Sequence, residues 1–121
     1  MTREPETVAE DCPLGSVLGR MRRDEIRHLL VLEGERLSGI VSNRDWRRLA
    51  MTDAGAPFLS EPVSRIMTEN PVTVAPEAAV TVAARLLLER KIGALPVRDG
   101  EDIVGIFTTS DALEALLSAL E

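Results

Sequence analysis

Apolar positions along this chain change period in the same order twice. Leu14, Val17, Leu18 and Met21 recur at i, i+3, i+4 and i+7, as do Val80, Ala83, Ala84 and Leu87, and this spacing predicts a helix in each half. Pro76 and Glu77 suit the start of the second of these helices, by fixed φ and by a carboxylate near the positive end of the macrodipole; Glu10-Asp11 stand at the equivalent place in the first. Short extended pieces that follow a proline, Thr7-Val8 and Val72-Thr73-Val74, precede the helices. Next, Leu29 to Leu32 and Leu37 to Val41 flank Glu33-Gly34, while Leu95 to Val97 and Ile103 to Phe107 flank Asp99-Gly100. Two apolar runs about an acidic, Gly-bearing turn predict a β-hairpin. A last helix is marked by Leu113, Leu116, Leu117 and Leu120, and more weakly by Trp46, Leu49 and Ala50.

The order is therefore β-α-β-β-α made twice, an α/β fold, and the two copies align at a shift of 66 positions without a gap. Met1-Thr2, Pro5 and Thr7-Val8-Ala9 repeat as Met67-Thr68, Pro71 and Thr73-Val74-Ala75. Gly34, Gly39, Ile40 and Asp45 repeat as Gly100, Gly105, Ile106 and Asp111. The repeats are expected over 1–55 and 67–121, with 56–66, including Pro57 and Pro62, as the connection. A unit of about 55 residues buries too little apolar surface alone, so the copies are expected to pack on one another as one domain. The same shortage of core and the apolar last helix predict a homodimer, although such a leucine stripe is more often core.

Composition narrows the function classes. With only Phe58, Phe107 and Trp46 as aromatics, stacking platforms for single-stranded nucleic acid are not expected. A formal charge of −6 argues against non-specific binding to nucleic acid or anionic membranes, which needs clustered Lys and Arg. Residues 1–55 carry nine Arg against ten acids and 56–121 five basic residues against ten, so any positive field belongs mostly to the first half. Cys12 is alone, which excludes an intrachain disulfide and a cysteine metal cluster and makes a reduced, cytoplasmic setting the default. No apolar run approaches the roughly 20 residues of a membrane span.

The motif that carries chemistry is Ser42-Asn43-Arg44-Asp45 with its twin Thr108-Thr109-Ser110-Asp111, each where a hairpin strand becomes a helix. Ser/Thr-x-x-Asp is close to a capping box, a purely structural role. The same geometry suits a nucleotide, because free N–H groups at a helix start attract phosphate and a carboxylate can accept both hydroxyls of a ribose. The two roles are compatible.

Taken together, Met-Thr-x-x-Pro-x-Thr-Val, Ile26-Arg27-His28-Leu29 with Ile92-Gly93-Ala94-Leu95-Pro96-Val97, and Gly39 to Asp45 with Gly105 to Asp111 resemble the cystathionine β-synthase (CBS) domain, repeated. The resemblance covers nearly the whole chain and is similar to the compact, acetoin-utilisation type of CBS protein. It implies a Bateman module, a non-enzymatic sensor of adenosine-containing ligands such as AMP, ADP or ATP, with no required cofactor and an unidentified regulated protein. It also implies two clefts, each combining the first strands of one repeat with the Ser/Thr-x-x-Asp of the other. One would unite Thr7, Val8, Arg27, His28 and Leu29 with Thr108, Ser110 and Asp111. The other would unite Thr73, Val74, Gly93, Ala94 and Pro96 with Ser42, Arg44 and Asp45. The aspartates would hold ribose hydroxyls, the backbone near Leu29 and Leu95 would meet adenine, and Ser42, Thr108 and Arg44 would lie on the phosphate side.

Leu30 stands where the second copy has Pro96, and Arg27-His28 where it has Gly93-Ala94, so the clefts are expected to be inequivalent. A lone His28 without a second His or a Cys pair does not make a transition-metal site, and no nucleophile with a partner base is visible, so no catalytic residues are assigned. The rival readings are a dimerising scaffold with empty clefts, a sensor of S-adenosylmethionine or NAD, and a small nucleotide-acting enzyme.

Overall fold

The structure, a computed structural model, describes residues 1–52 and 59–121; Gly55 at the end of the expected first repeat, Pro57 and Phe58 of the expected connection, and the side chain of Ala50, lie outside what is described. In chain order the elements are β1 (Thr2–Arg3), β2 (Thr7–Ala9), α1 (Leu14–Arg23), β3 (His28–Glu33), β4 (Arg36–Ser42), α2 (Asn43–Thr52), a short 3-10 turn (Val63–Arg65), β5 (Thr68–Glu69), α3 (Val80–Arg90), β6 (Ala94–Asp99), β7 (Asp102–Thr108) and α4 (Thr109–Leu120). They form a mixed α/β fold of two repeats.

Two compact units emerge, and neither coincides with a sequence repeat: one is Glu6–Pro71, the other Met1–Pro5 with Val72–Glu121. In the first unit a four-stranded sheet runs β2-β3-β4-β5, and in the second a three-stranded sheet runs β1-β7-β6. Each hairpin is thus extended by the Met-Thr segment that opens the other repeat. Thr2 pairs with Ile106 and Arg3 with Gly105, as Thr68 pairs with Ile40 and Glu69 with Gly39. The repeated glycines permit it. A Cβ on Gly39 would lie 2.8 Å from the Thr68 carbonyl oxygen and 2.6 Å from Met67 Sδ, and one on Gly105 would lie 2.7 Å from the Thr2 oxygen. The other repeated pair, Gly34 and Gly100, takes φ of 64° and 62° in the hairpin turns, where other residues would be strained. Both hairpins even shift register at equivalent steps, Val31/Leu32 and Val97/Arg98.

One sequence difference changes the topology. Leu30 donates its N–H to Glu6 O at 3.1 Å and anchors β2 along β3 as a parallel strand. Pro96 has no N–H to give, so the equivalent bond is absent and Val74 makes only an isolated bridge to Val97.

The helices start later than the sequence predicts. Neither α1 nor α3 has an acid in its first turn, and their caps are Pro13 and Ala79. The Leu14 N–H bonds to Glu61 O, while Ala75 to Ala78 closes a separate turn, so Glu10-Asp11 and Pro76-Glu77 precede the helices without opening them. Leu14, Val17 and Met21 are buried as expected, against Leu29, Val31, Val41, Trp46 and Leu49. Val63, in the stretch read as connection, is buried in that same core, where its N–H bonds to Cys12 O at 2.8 Å. The second unit has a smaller core of Ala83, Leu87, Leu95, Val97 and Phe107. Here one expectation fails: Val80, the counterpart of Leu14, is 47% exposed. Helix α4 buries none of its residues.

Candidate functional site

Both Ser/Thr-x-x-Asp motifs fold as the sequence predicts, at the passage from a hairpin strand into a helix. Asp45 Oδ2 accepts the Ser42 N–H at 2.8 Å and the Ser42 hydroxyl at 3.2 Å, and Asp111 Oδ2 accepts the same pair from Thr108 at the same distances. The Asp111 N–H returns a bond to Thr108 Oγ1 at 3.4 Å, completing a capping box on α4. The capping bonds engage Oδ2 in each carboxylate. A carboxylate offers about four lone-pair sites, so Oδ1 can still accept hydroxyls; Oδ1 of Asp111 has the Met1 amino group at 4.0 Å.

Within each unit the backbone brings the predicted residues of that unit together. In Glu6–Pro71, His28 pairs with Ser42 at the end of the hairpin, and Arg27 O accepts the Asn43 N–H at 3.1 Å. This ties the segment before β3 to the first turn of α2. Thr7 and Val8 lie alongside, in register with Leu30 and Val31, next to Leu29. The second unit repeats the construction with smaller side chains. Ala94 pairs with Thr108, Gly93 O accepts the Thr109 N–H at 3.1 Å, and the Val74 N–H reaches Pro96 O at 3.1 Å, with Thr73 preceding it and Ser110 exposed on the first turn of α4.

Charge distinguishes the two. Arg27, His28 and Arg44 have Gly93, Ala94 and Ser110 as their counterparts, so the basic groups of the site region collect in one unit. They are close enough to act on one another. Burial pushes the His28 imidazole below its usual pKa, the Asp45 carboxylate pulls the other way, and the Arg27 and Arg44 guanidinium groups depress it further.

Arg20 is a contributor that sequence reasoning missed. It donates from Nη1 to Thr7 O at 2.7 Å and from Nη2 to Glu6, and so fixes the backbone entering β2. The available signal was a cation at the position where the second copy has Leu86. Among the described residues no His, Cys, Asp and Glu cluster could hold a metal ion, and no helix is long and apolar enough to cross a membrane.

Comparison with known proteins agrees with this architecture. The CBS domain family profile matches residues 1–51 and 63–118. A CBS domain-containing protein of Dictyostelium discoideum is 33% identical over 135 residues, covering 100% of this chain and 90% of that protein. Other curated relatives are longer, and the chain spans from 17% to 42% of their length. Among solved structures, a Vibrio cholerae protein assigned to acetoin utilization (AcuB) superposes with a TM-score of 0.84 at 30% identity, over 99% of this chain and 88% of that one. The CBSX2 protein in complex with AMP superposes with a TM-score of 0.82 at 25% identity, over 100% and 95% of the two chains. With a family match over both repeats and a relative aligned along its whole length, this chain belongs to the CBS domain family, as a tandem, Bateman-type pair.

Proposed function

We propose that this protein is a non-enzymatic regulatory module, cytoplasmic and homodimeric, that binds an adenosine nucleotide, AMP, ADP or ATP, and passes the bound state to a regulated protein. The observation that carries the reading is the duplicated cap. In both repeats an aspartate is held by Oδ2 at a strand-to-helix junction, the geometry that orients a carboxylate toward ribose hydroxyls. The AMP bound by CBSX2 supports the ligand class. In the proposed pairing each cleft takes the Ser/Thr-x-x-Asp of one repeat and the first strands of the other, so that Asp111 serves with Thr7, Val8, Arg27, His28 and Leu29. Asp45, with Ser42 and Arg44, serves with Thr73, Val74, Gly93, Ala94 and Pro96.

Equilibrium dialysis against AMP, ADP, ATP, S-adenosylmethionine and NAD tests this. The expected result is saturable binding of an adenine nucleotide that is lost when both Asp45 and Asp111 are replaced by Ala. No binding of any of the five would leave the rival reading, a dimerising scaffold with empty clefts, which the exposed leucines of α4 favour.

A further inference from the structure

In the first unit the stretch ahead of β5 docks on the start of α1 much as an added strand docks on a sheet edge. Leu14 donates its N–H to Glu61 O at 2.8 Å, Val63 donates to Cys12 O at 2.8 Å and Ser64 to Glu10 O at 3.1 Å, while Pro13 and Pro62 form an antiparallel bridge. Leu14 and Val63 are both fully buried in one core as a result. Pro62 fixes the entry to the turn that follows, and an ion pair from Arg65 to Glu61 spans it, so the docked shape is built into the segment itself.

The second unit has the receptor without the segment. The 66-residue shift turns Glu10, Cys12, Pro13 and Leu14 into Pro76, Ala78, Ala79 and Val80. The backbone is nearly identical: the caps Pro13 and Ala79 take φ, ψ of −61°, 140° and −64°, 144°. Cys12 N–H bonds to Ala9 O and Ala78 N–H to Ala75 O, both at 3.1 Å. Yet among the described residues none makes the three bonds to Val80 N–H, Ala78 O and Pro76 O, no bridge matches Pro13 with Pro62, and Val80 is left 47% exposed.

We propose that the start of α3 is a docking strip for a partner protein, taking an extended segment in which proline is followed by a β-branched residue that covers Val80. Three observations select this occupant. The strip offers a backbone donor beside two acceptors, the pattern that a polypeptide main chain satisfies and a lipid or a small anion does not. From Ala78 to Ala84 no residue is charged, so the covering side chain has to be apolar. The third is fit. A Cβ on Gly15 would lie 3.3 Å from Leu59 O and 3.4 Å from Leu59 Cβ, and the counterpart of Gly15 is Thr81. A segment with leucine at the Leu59 position is therefore crowded out, and the partner has to be small there. The Leu59–Arg65 stretch of a second copy carries that leucine and is already engaged in its own unit.

Nuclear magnetic resonance of the full chain, titrated with the peptide acetyl-Ser-Glu-Pro-Val-Ser-Arg-amide, reads the strip residue by residue; the peptide has the sequence of Ser60 to Arg65 and omits the leucine. The Val80 and Thr81 amide signals are expected to shift and saturate, with a midpoint at roughly 0.1–1 mM for so short a segment. Val80→Asp in the protein, and aspartate for valine in the peptide, are each expected to raise that midpoint at least about 10-fold, because each sets a charge against an apolar surface. The altered peptide keeps the test sound whatever Val80→Asp does to folding. No shift up to about 5 mM overturns the proposal, as do equal binding of the aspartate peptide and shifts at Leu14 in place of Val80. A Val80 signal that moves with protein concentration alone gives the strip to a second copy and overturns it too. None of the strip residues is assigned to the nucleotide, so the titration is run without one and its failure leaves the nucleotide reading standing.

Discussion

Asp111→Asn separates the cap from the ligand contact in a single substitution. The Asp111 side chain receives two bonds at Oδ2, from the Thr108 N–H at 2.8 Å and its hydroxyl at 3.2 Å. An asparagine carbonyl can accept both, so the capping geometry survives and only the negative charge at the start of α4 is lost. That charge is worth about 0.3–1 kcal/mol beside the helix dipole, which in a chain of this size lowers the melting temperature by about 2–6 °C. The ligand fares worse. A ribose hydroxyl that donates to a carboxylate makes a charge-assisted bond worth about 1.5–3 kcal/mol, and the amide offers one acceptor where the carboxylate offered two. Under the proposed function, the nucleotide dissociation constant of the site that contains Asp111 is therefore expected to rise by roughly 10- to 100-fold. Calorimetric titration with AMP and ATP, alongside thermal melts of the same preparations, measures both effects. Unchanged affinity with a lower melting temperature would refute the reasoning and leave the motif as a cap only.

Three further outcomes are expected. Under the proposed cross-repeat pairing, Gly93→Arg should abolish the same calorimetric event as Asp45→Ala; suppression of the Asp111 event instead would break that pairing. His28 has a depressed pKa when folded, so above its unfolded value of 6.5 both states hold it neutral and its full stability contribution is present. As pH falls below that value the unfolded chain takes a proton that the folded chain refuses, and stability drops until the folded pKa is passed. Wild type should thus lose more denaturant resistance than His28→Asn between about pH 7 and pH 5, and parallel curves would count against the half-buried, cation-flanked imidazole. Gly39→Ala puts a methyl 2.8 Å from the Thr68 oxygen, which has to move, so β5 should detach from β4 at a cost of about 1–3 kcal/mol in chemical denaturation; an unperturbed variant would contradict that close approach.

The hairpins, their glycine turns, the caps at Asp45 and Asp111 and the core face of α1 were legible because each depends on residues a few positions apart. What escaped depended on distant partners. Nothing local to Val80 reveals that it is exposed where Leu14 is buried, since the stretch that covers Leu14 comes back from Glu61 to Val63. The α4 leucines have the period of a core helix, and only their counterparts, with Trp46 and Leu49 matched by Ala112 and Ala115, tell that the face is reversed. Pro96 in place of Leu30 is a visible departure, but its effect on β2's counterpart depends on a missing N–H whose partner, as the Leu30 bond to Glu6 shows, stands more than 20 residues away in the chain. The repeated Met-Thr pairs and the repeated Gly39 and Gly105 were both visible, but that they touch is a tertiary fact.

The pairing of Thr2 with Ile106 has a consequence for how the chain comes into being. It closes a loop of about 100 residues, an entropic cost of about 4 kcal/mol that two short rungs of sheet cannot offset by themselves. During synthesis the N-terminal strand is made first and has nowhere to bind until β7 has left the ribosome, while β4 waits in the same way for Thr68. Neither sequence repeat, cut out at its own boundary, contains a complete sheet: each would lack its edge strand and carry one that belongs elsewhere. The chain can be read as a duplication, yet the duplicated segment is not the compact unit: the sheet of Glu6–Pro71 is complete once Thr68 is made, whereas that of the other unit has to join the two ends of the chain.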